Sequence, residues 1–219
     1  MNLPWLDAHN HRDSLPTDDF FGLSCSPGPK APLCLGIHPW DIQGSGELQL
    51  QNLEEAICSK TPLCVGEAGL DRIKGAPLET QERVFEKQLD LANRFRLPVV
   101  IHMVRSQDRI QYFHKKMAKT HWMIHDFQGS EEAALALIGK GIFLSFSPRI
   151  LKDQSKVRTY LSALPLDFIF FETDEFAYQI SSLYGEISSV LGCEAEELNE
   201  ICWKNLERFL EVDRESILA

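Results

Sequence analysis

The strongest constraint in this sequence is a repeated alternation. Eight short, mostly apolar runs occur at residues 3–7, 20–25, 33–37, 63–66, 99–102, 122–125, 142–146 and 168–172. Stretches of helical period lie between or after them, at 47–60, 79–96, 107–119, 130–140, 150–164, 177–191 and 195–210. Runs this short and this apolar fit strands covered on both faces. Strands alternating with helices pair in parallel through crossovers, and eight of them predict an α/β fold, a (β/α)8 TIM barrel. Within 79–96, Val84, Phe85, Leu89, Leu91, Ala92 and Phe95 make one apolar stripe, and Leu97-Pro98 ends it. Ala195, Leu198, Ile201, Cys202, Leu206, Phe209 and Leu210 make another near the end of the chain. The regularity lapses early. Only 26 residues separate His11 from His38, and 14–30 is rich in Pro, Gly, Ser and Asp, which predicts a barrel trimmed between its first two strands. No repeat, linker or low-complexity segment interrupts residues 1–219, so they read as a single domain.

The metal-type side chains fall at matching places in this pattern. His9 and His11 close the first run, Glu67 the fourth, His102 the fifth and His125 the sixth, while Asp174 follows the eighth. In a barrel those strand ends converge on the face that carries active sites. Residues two apart on a strand point the same way, so His9 and His11 can serve one metal. A lone histidine after an apolar run is more often a hydrogen-bonded rim residue than a ligand. Six such residues at equivalent positions reverse those odds, because burying charge at a barrel mouth is costly without a partner. Four histidines and two carboxylates can hold two divalent ions, one carboxylate bridging. Mixed nitrogen and oxygen ligands suit zinc, manganese, iron or nickel better than a purely oxygen-loving calcium site; magnesium remains a candidate. Two such ions lower the pKa of a shared water and polarise a carbonyl or phosphoryl oxygen, which is hydrolysis. Asp174 is the candidate acceptor for that water's proton.

Charge bears on the substrate. The net charge of −10 opposes non-specific attraction to a polyanion, so a nucleic-acid substrate requires local positive charge, which divalent metals supply. Arg72, Lys74, Arg105, Arg149 and Lys152 follow strands that carry or flank the metal-type residues, and Arg105 and Arg149 are the preferred phosphate contacts. Trp40 and Phe127 offer stacking faces beside His38 and His125, or rim packing. No apolar run reaches the roughly 18 residues of a membrane span, and "MNLPWLDAHN" lacks the basic-then-apolar order of a signal peptide. The expectation is a cytoplasmic protein with no membrane and no obligate protein partner. The six cysteines (25, 34, 58, 64, 193 and 202) show no Cys-x-x-Cys spacing and are expected as free, buried small residues.

The stretches "DAHNH", "GIHPW", "VGEAGLD", "QLDLANRFRLPVVIH", "HDFQGS" and "FETD" together resemble the TatD family of metal-dependent deoxyribonucleases, in the amidohydrolase superfamily. The helical tail "CEAEELNEICWKNLERF" resembles the family's C-terminus. Glu67 stands where related families place a metal-bridging carboxylated lysine. The resemblance implies that His9, His11, Glu67 and Asp174 hold one metal, and that Glu67, His102 and His125 hold the other. It implies a place near the substrate phosphate for His38, whose alternative reading is a turn or supporting residue beside Pro39. Asp7 reads as a residue that orients a neighbour. The chain departs from the family in three loops. The segment between "HNH" and "GIHP" is short, Arg105 lies one residue later after His102 than the usual arginine, and the long Pro-bearing loop after "ETD" is absent.

The leading expectation is therefore a deoxyribonuclease that cleaves phosphodiester bonds with a hydroxide activated by two divalent metals, Asp174 and Glu67 being the catalytic carboxylates. A hydrolase of a small ester, amide or lactone on the same site is the alternative. A narrow apolar pocket and no cleavage of DNA with magnesium or manganese distinguish it. A non-catalytic metal-binding protein ranks third, since it predicts a broken ligand set and the set is complete.

Overall fold

The computed structural model describes residues 3–11, 20–25 and 34–218. All eight expected strands are present: β1 (Trp5–Asn10), β2 (Phe20–Ser24), β3 (Cys34–Leu35), β4 (Cys64–Asp71), β5 (Val99–Val104), β6 (Trp122–Ile124), β7 (Phe143–Phe146) and β8 (Ile169–Phe171). β1 and β2 pair in parallel, and β3 to β8 form a second parallel sheet in chain order. The two meet just past β8, where Asp174 bridges Asn10 and donates its backbone N–H to His9 O at 3.0 Å. The barrel wall thus runs β2-β1-β8-β7-β6-β5-β4-β3, and among the described residues no ladder joins β2 to β3. Residues 11–19 connect β1 to β2, fewer than the dozen or so of a helical crossover. The trimmed segments themselves, 12–19 and 26–33, lie outside the described residues.

Helices α1 (Glu47–Lys60), α2 (Leu78–Phe95), α3 (Gln107–Met117) and α4 (Glu131–Ile138) fall where the periodicity places them. The expected single helix at 150–164 does not form. A 3-10 turn (Pro148–Leu151), α5 (Lys156–Tyr160) and a second 3-10 turn (Leu161–Ala163) replace it. The cause is local: Ser147 accepts from the Arg149 N–H and Ser155 from the Arg158 N–H, so the chain is capped and restarted twice. α6 (Ile180–Leu191) and α7 (Ala195–Leu210) follow, and then α8 (Arg214–Leu218), which the sequence reading omitted. None of the described helices is long and apolar enough to cross a membrane.

Two differences from expectation shape the site. β4 does not stop at Gly66 but continues to Asp71, so Glu67 sits inside the strand rather than at its end. The register against β5 shifts between Val65 and Ala68. Gly66 and Gly69 allow this passage, because a Cβ would lie 2.7 Å from Val100 O at the first and 2.1 Å from His102 O at the second. The cysteine expectation also needs correction. Cys34 stands opposite Cys64 in the β3–β4 register, with Cα atoms 4.7 Å apart, and the two form a disulfide. Their 30-residue separation gave no such sign. Cys58 is exposed, and of the free cysteines Cys202 is the buried one.

Buried polar side chains hold the first and last strands to the terminal helices. On α7, Asn199 accepts from Leu6 N–H at 3.0 Å and donates to Pro4 O at 3.1 Å, and Trp203 Nε1 donates to Pro4 O at 2.8 Å. Tyr184 on α6 donates to Leu6 O at 3.0 Å, and Asn205 donates to Ile169 O at 2.9 Å. These bonds satisfy backbone groups in a water-free interior, where an orphan costs about 1–3 kcal/mol. Asn199→Ala is therefore expected to lower unfolding free energy by about 2–3 kcal/mol, and Tyr184→Phe by about 1 kcal/mol. Urea titration measures both. A loss below about 0.5 kcal/mol for Asn199→Ala, the usual range of an inert surface change, would show that α7 does not clamp β1.

Candidate metal centre

Glu67 is the hub of the cleft. The β4 bulge carries its carboxylate into the barrel mouth, where it is 6% exposed. Its Oε2 lies 3.4 Å from His9 Nε2 and 3.5 Å from His11 Nε2. Asp174 Oδ1 completes that side, 3.4 Å from His11 Nε2 and 3.8 Å from His9 Nε2. The other oxygen, Oε1, lies 2.6 Å from His125 Nε2, 2.8 Å from His102 Nδ1 and 3.2 Å from His38 Nε2. Six residues expected from strand ends thus meet in one place, and His38 joins them.

The surrounding contacts present these nitrogens to a cation. Behind His102, Nε2 faces Asp71 Oδ2 at 3.3 Å. Behind His125, Nδ1 faces Glu172 Oε1 at 3.4 Å, and behind His9, Nδ1 faces Cys25 Sγ at 3.6 Å. Such backing fixes a ligating imidazole's tautomer and orientation. His9 Nε2 is buried with no hydrogen-bond partner. It looks instead toward Glu67 Oε2 at 3.4 Å, within the roughly 3.3–3.6 Å between tetrahedral ligands sharing one ion at zinc-like bond lengths, and toward Asp174 Oδ1 at a slightly longer 3.8 Å. The trios His9–His11–Asp174, His9–Glu67–His125 and His38–Glu67–His102 each bring their ligand atoms within 4.8 Å of one another. The donor set suits a divalent metal.

The electrostatics agree. Hydrogen bonds that His11 donates to the Asp174 and Glu67 carboxylates push its pKa up to about 10. Burial works to raise Glu67, but the His125 charge and the bonds from His102, His11 and His125 win and hold it well below the usual carboxylate range. Burial works to lower His125, yet the charges of Glu67 and Glu172 raise it well above its ordinary value. A field that retains protons on imidazoles is one that favours cations. Behind it, Asp7 does what the sequence reading assigned. It orients a neighbour, accepting from Thr173 N–H at 2.8 Å and Thr173 Oγ1 at 2.6 Å, and so fixes the segment leading to Asp174. Arg105, Asp126 and Asp174, just past β5, β6 and β8, all have positive φ, which costs non-glycine residues of order 1–3 kcal/mol and clusters at functional sites.

The site opens into a cleft of about 750 Å³. Arg149 lines it, with Nε 3.0 Å from Asp126 Oδ2. Arg105 does not line it: its side chain is exposed, and its backbone carbonyl accepts from Arg72, which is paired with Asp108 at 2.8 Å. The reason is the extra residue after His102, since Met103 and Val104 complete β5 and Arg105 turns away with φ 51°. Lys74 and Trp40 line the cleft, whereas Phe127 is buried against Phe146. Asp71 and Glu172 had no assigned role in the sequence reading. Asp71 shares an alternating strand face with Glu67, and Glu172 with Asp174, which was the available signal.

Comparison with known proteins matches this fold. The TatD related DNase family profile aligns with residues 27–211. A protein described as an uncharacterized metal-dependent hydrolase, YjjV of Escherichia coli, is 29% identical over 158 residues, covering 69% of this chain and 61% of its own length. Human deoxyribonuclease TATDN3 is 30% identical over 200 residues, covering 78% and 71%. The crystal structure of the E. coli TatD homologue YjjV superposes with a TM-score of 0.78 at 23% identity, over 97% of this chain and all of that one. The phosphotriesterase homology protein of E. coli shares the fold at TM-score 0.65. This chain belongs to the TatD related DNase family.

Proposed function

We propose that the protein is a two-metal phosphodiesterase acting on DNA. The observation that carries this reading is the division of Glu67: one oxygen faces His9 and His11, with Asp174 beside them, and the other faces His102, His125 and His38. His9, His11, Glu67 and Asp174 would hold one ion, and Glu67, His102 and His125 the other. Bound there, divalent ions supply an acidified water and neutralise charge on a phosphoryl oxygen.

The chain's own residues supply the rest. Asp174 sits on the cleft side of this cluster and accepts the proton of the attacking water. Its carboxylate is kept ionised. Burial opposes that, but the His11 hydrogen bond and the His9 and His125 charges hold it below its usual range. Asp71, Glu172 and Cys25 keep the imidazoles aimed inward. His38 and Arg149 stand at the cleft wall to receive the substrate's phosphoryl oxygens. The names of the relatives, metal-dependent hydrolase and deoxyribonuclease, support the same reading.

Labelled single- and double-stranded DNA, with magnesium, manganese and zinc in turn, tests it. Glu67→Gln is expected to lower kcat/KM by about 10³-fold, roughly 4 kcal/mol of transition-state stabilisation; near-normal turnover in that variant would sink the mechanism. Asp174→Asn is expected to lose roughly 10²–10⁴-fold, the range for a positioned general base.

Metal binding is also expected to stabilise the fold. At 100 times its dissociation constant an ion contributes about 2.7 kcal/mol, a rise in melting temperature of roughly 5–10 °C for a chain of this size. Scanning fluorimetry should show that rise with zinc or manganese, its reversal by a chelator, and its loss in Glu67→Gln. Equal shifts in wild type and variant would place the metal elsewhere.

A further inference from the structure

Among the described residues, two cationic side chains apart from histidines line the cleft, Lys74 and Arg149. Arg149 is already matched by Asp126 at 3.0 Å. Lys74 forms no ion pair among the described residues. Its ammonium instead rests 3.3 Å above the centre of the Trp40 indole. Trp40 is 41% exposed, and its ring touches those of His38 and His102, with centroids 4.7 and 5.4 Å apart.

The pair belongs to a built wall. The Trp40 indole N–H donates to Asp71 Oδ2 at 2.7 Å, and the Ile73 and Lys74 backbone N–H groups donate to Asp71 Oδ1 at 2.7 and 3.0 Å. The same Oδ2 faces His102 Nε2. Gln81, buried on α2, fixes the Asp71 backbone from both sides, accepting from its N–H at 2.8 Å and donating to its carbonyl at 2.9 Å. One carboxylate therefore sets the indole, the lysine loop and a proposed metal ligand together.

We propose that Lys74 and Trp40 form the subsite for the nucleotide flanking the scissile bond. Lys74 moves from the indole onto the flanking phosphate, and the uncovered indole packs against the sugar or base. An exposed cation–π contact is weaker than a charge-assisted bond to phosphate, and leaving it breaks no ion pair. Arg149, by contrast, must first leave Asp126. Parking on an aromatic ring keeps Lys74 available in a cleft that also contains Asp41 and Glu175.

The proposal rests on the phosphodiesterase reading, and two probes separate their failures. One is a five-residue oligothymidylate, and the other is bis(4-nitrophenyl) phosphate, which has no flanking phosphate. Lys74→Gln is expected to raise KM for the oligonucleotide about tenfold, with kcat changing far less and a several-fold smaller effect on the small diester. Binding of a cleavage-resistant phosphorothioate oligothymidylate to the zinc-loaded protein, followed by tryptophan fluorescence, should weaken by the same factor. Its slope against log salt should fall by roughly 0.7, one single-strand phosphate contact. Lys74→Arg should restore the slope, and Trp40→Leu should weaken binding and remove most of the fluorescence change. Equal losses on both probes, or an unchanged slope in Lys74→Gln, would overturn the subsite. Binding by wild type with cleavage of neither probe would overturn the phosphodiesterase reading and leave the subsite measurable. No oligonucleotide binding by wild type would overturn both.

Discussion

A carboxylate buried among five imidazoles is the interaction on which the rest of this structure depends. Glu67 cannot sit in the barrel mouth as a bare anion, because the cost of burying unpaired charge exceeds what one hydrogen bond returns. The ends of β1, β5 and β6 and the segment after β3 answer that demand with histidines, and a second rank of groups steadies several of them. β4 had to deform to place the carboxylate there. The bulge after Val65 and the close passage of Gly66 and Gly69 against β5 are local departures from a regular strand with a functional consequence. The opposite end of the barrel is held by amide and indole bonds from α7 and a phenol hydroxyl bond from α6.

Much of this was legible in the sequence, for a definite reason. Parallel strands buried on both faces leave few places for polar residues, so a histidine or acid at the end of an apolar run stands out. That is why His9, His11, His102, His125 and Asp174 were found, along with all eight strands. Where a residue's polarity is ordinary for its surroundings, the signal disappears. Gln81 and Gln88 look like the solvent face of α2, yet both are buried and bond to the β3 and β4 segments; Gln88 holds the Ile37 amide and carbonyl beside His38. Position after a strand was likewise too coarse to rank the cations. Arg105 and Lys74 both follow ligand-bearing strands, and only the β5 length and a left-handed turn send the former outward. The Cys34–Cys64 bond depends on β3–β4 register, which no local spacing encodes.

The register of β3 has a further role. β3 has only two residues, and the segment after it carries Ile37, His38, Pro39 and Trp40. Few ladder bonds hold so short a strand. The disulfide to Cys64, the Gln88 bonds to Ile37, and the Ala76 N–H bond to Pro39 O at 3.3 Å supply the missing anchorage. His38 and Trp40 are thus placed by contacts to β4, α2 and the loop between them. The site's ligands and its cleft wall share one support, so a disturbance at Asp71 or Gln81 should reach both.

An acidic protein that acts on a polyanion must locate its positive charge carefully. Several surface cations are neutralised in place: Arg72 by Asp108, Arg109 by Glu82, Lys116 by Glu86 and Arg214 by Glu200. With a net charge of −10, the flanks of the molecule repel a nucleic acid rather than track along it. The cleft adds local attraction, because the site's own field favours bound cations and Lys74 keeps its charge on an indole instead of a carboxylate. On the proposed function, binding built this way would engage few phosphates, so it would favour a short segment over a long duplex, whose remaining phosphates would face the acidic surface.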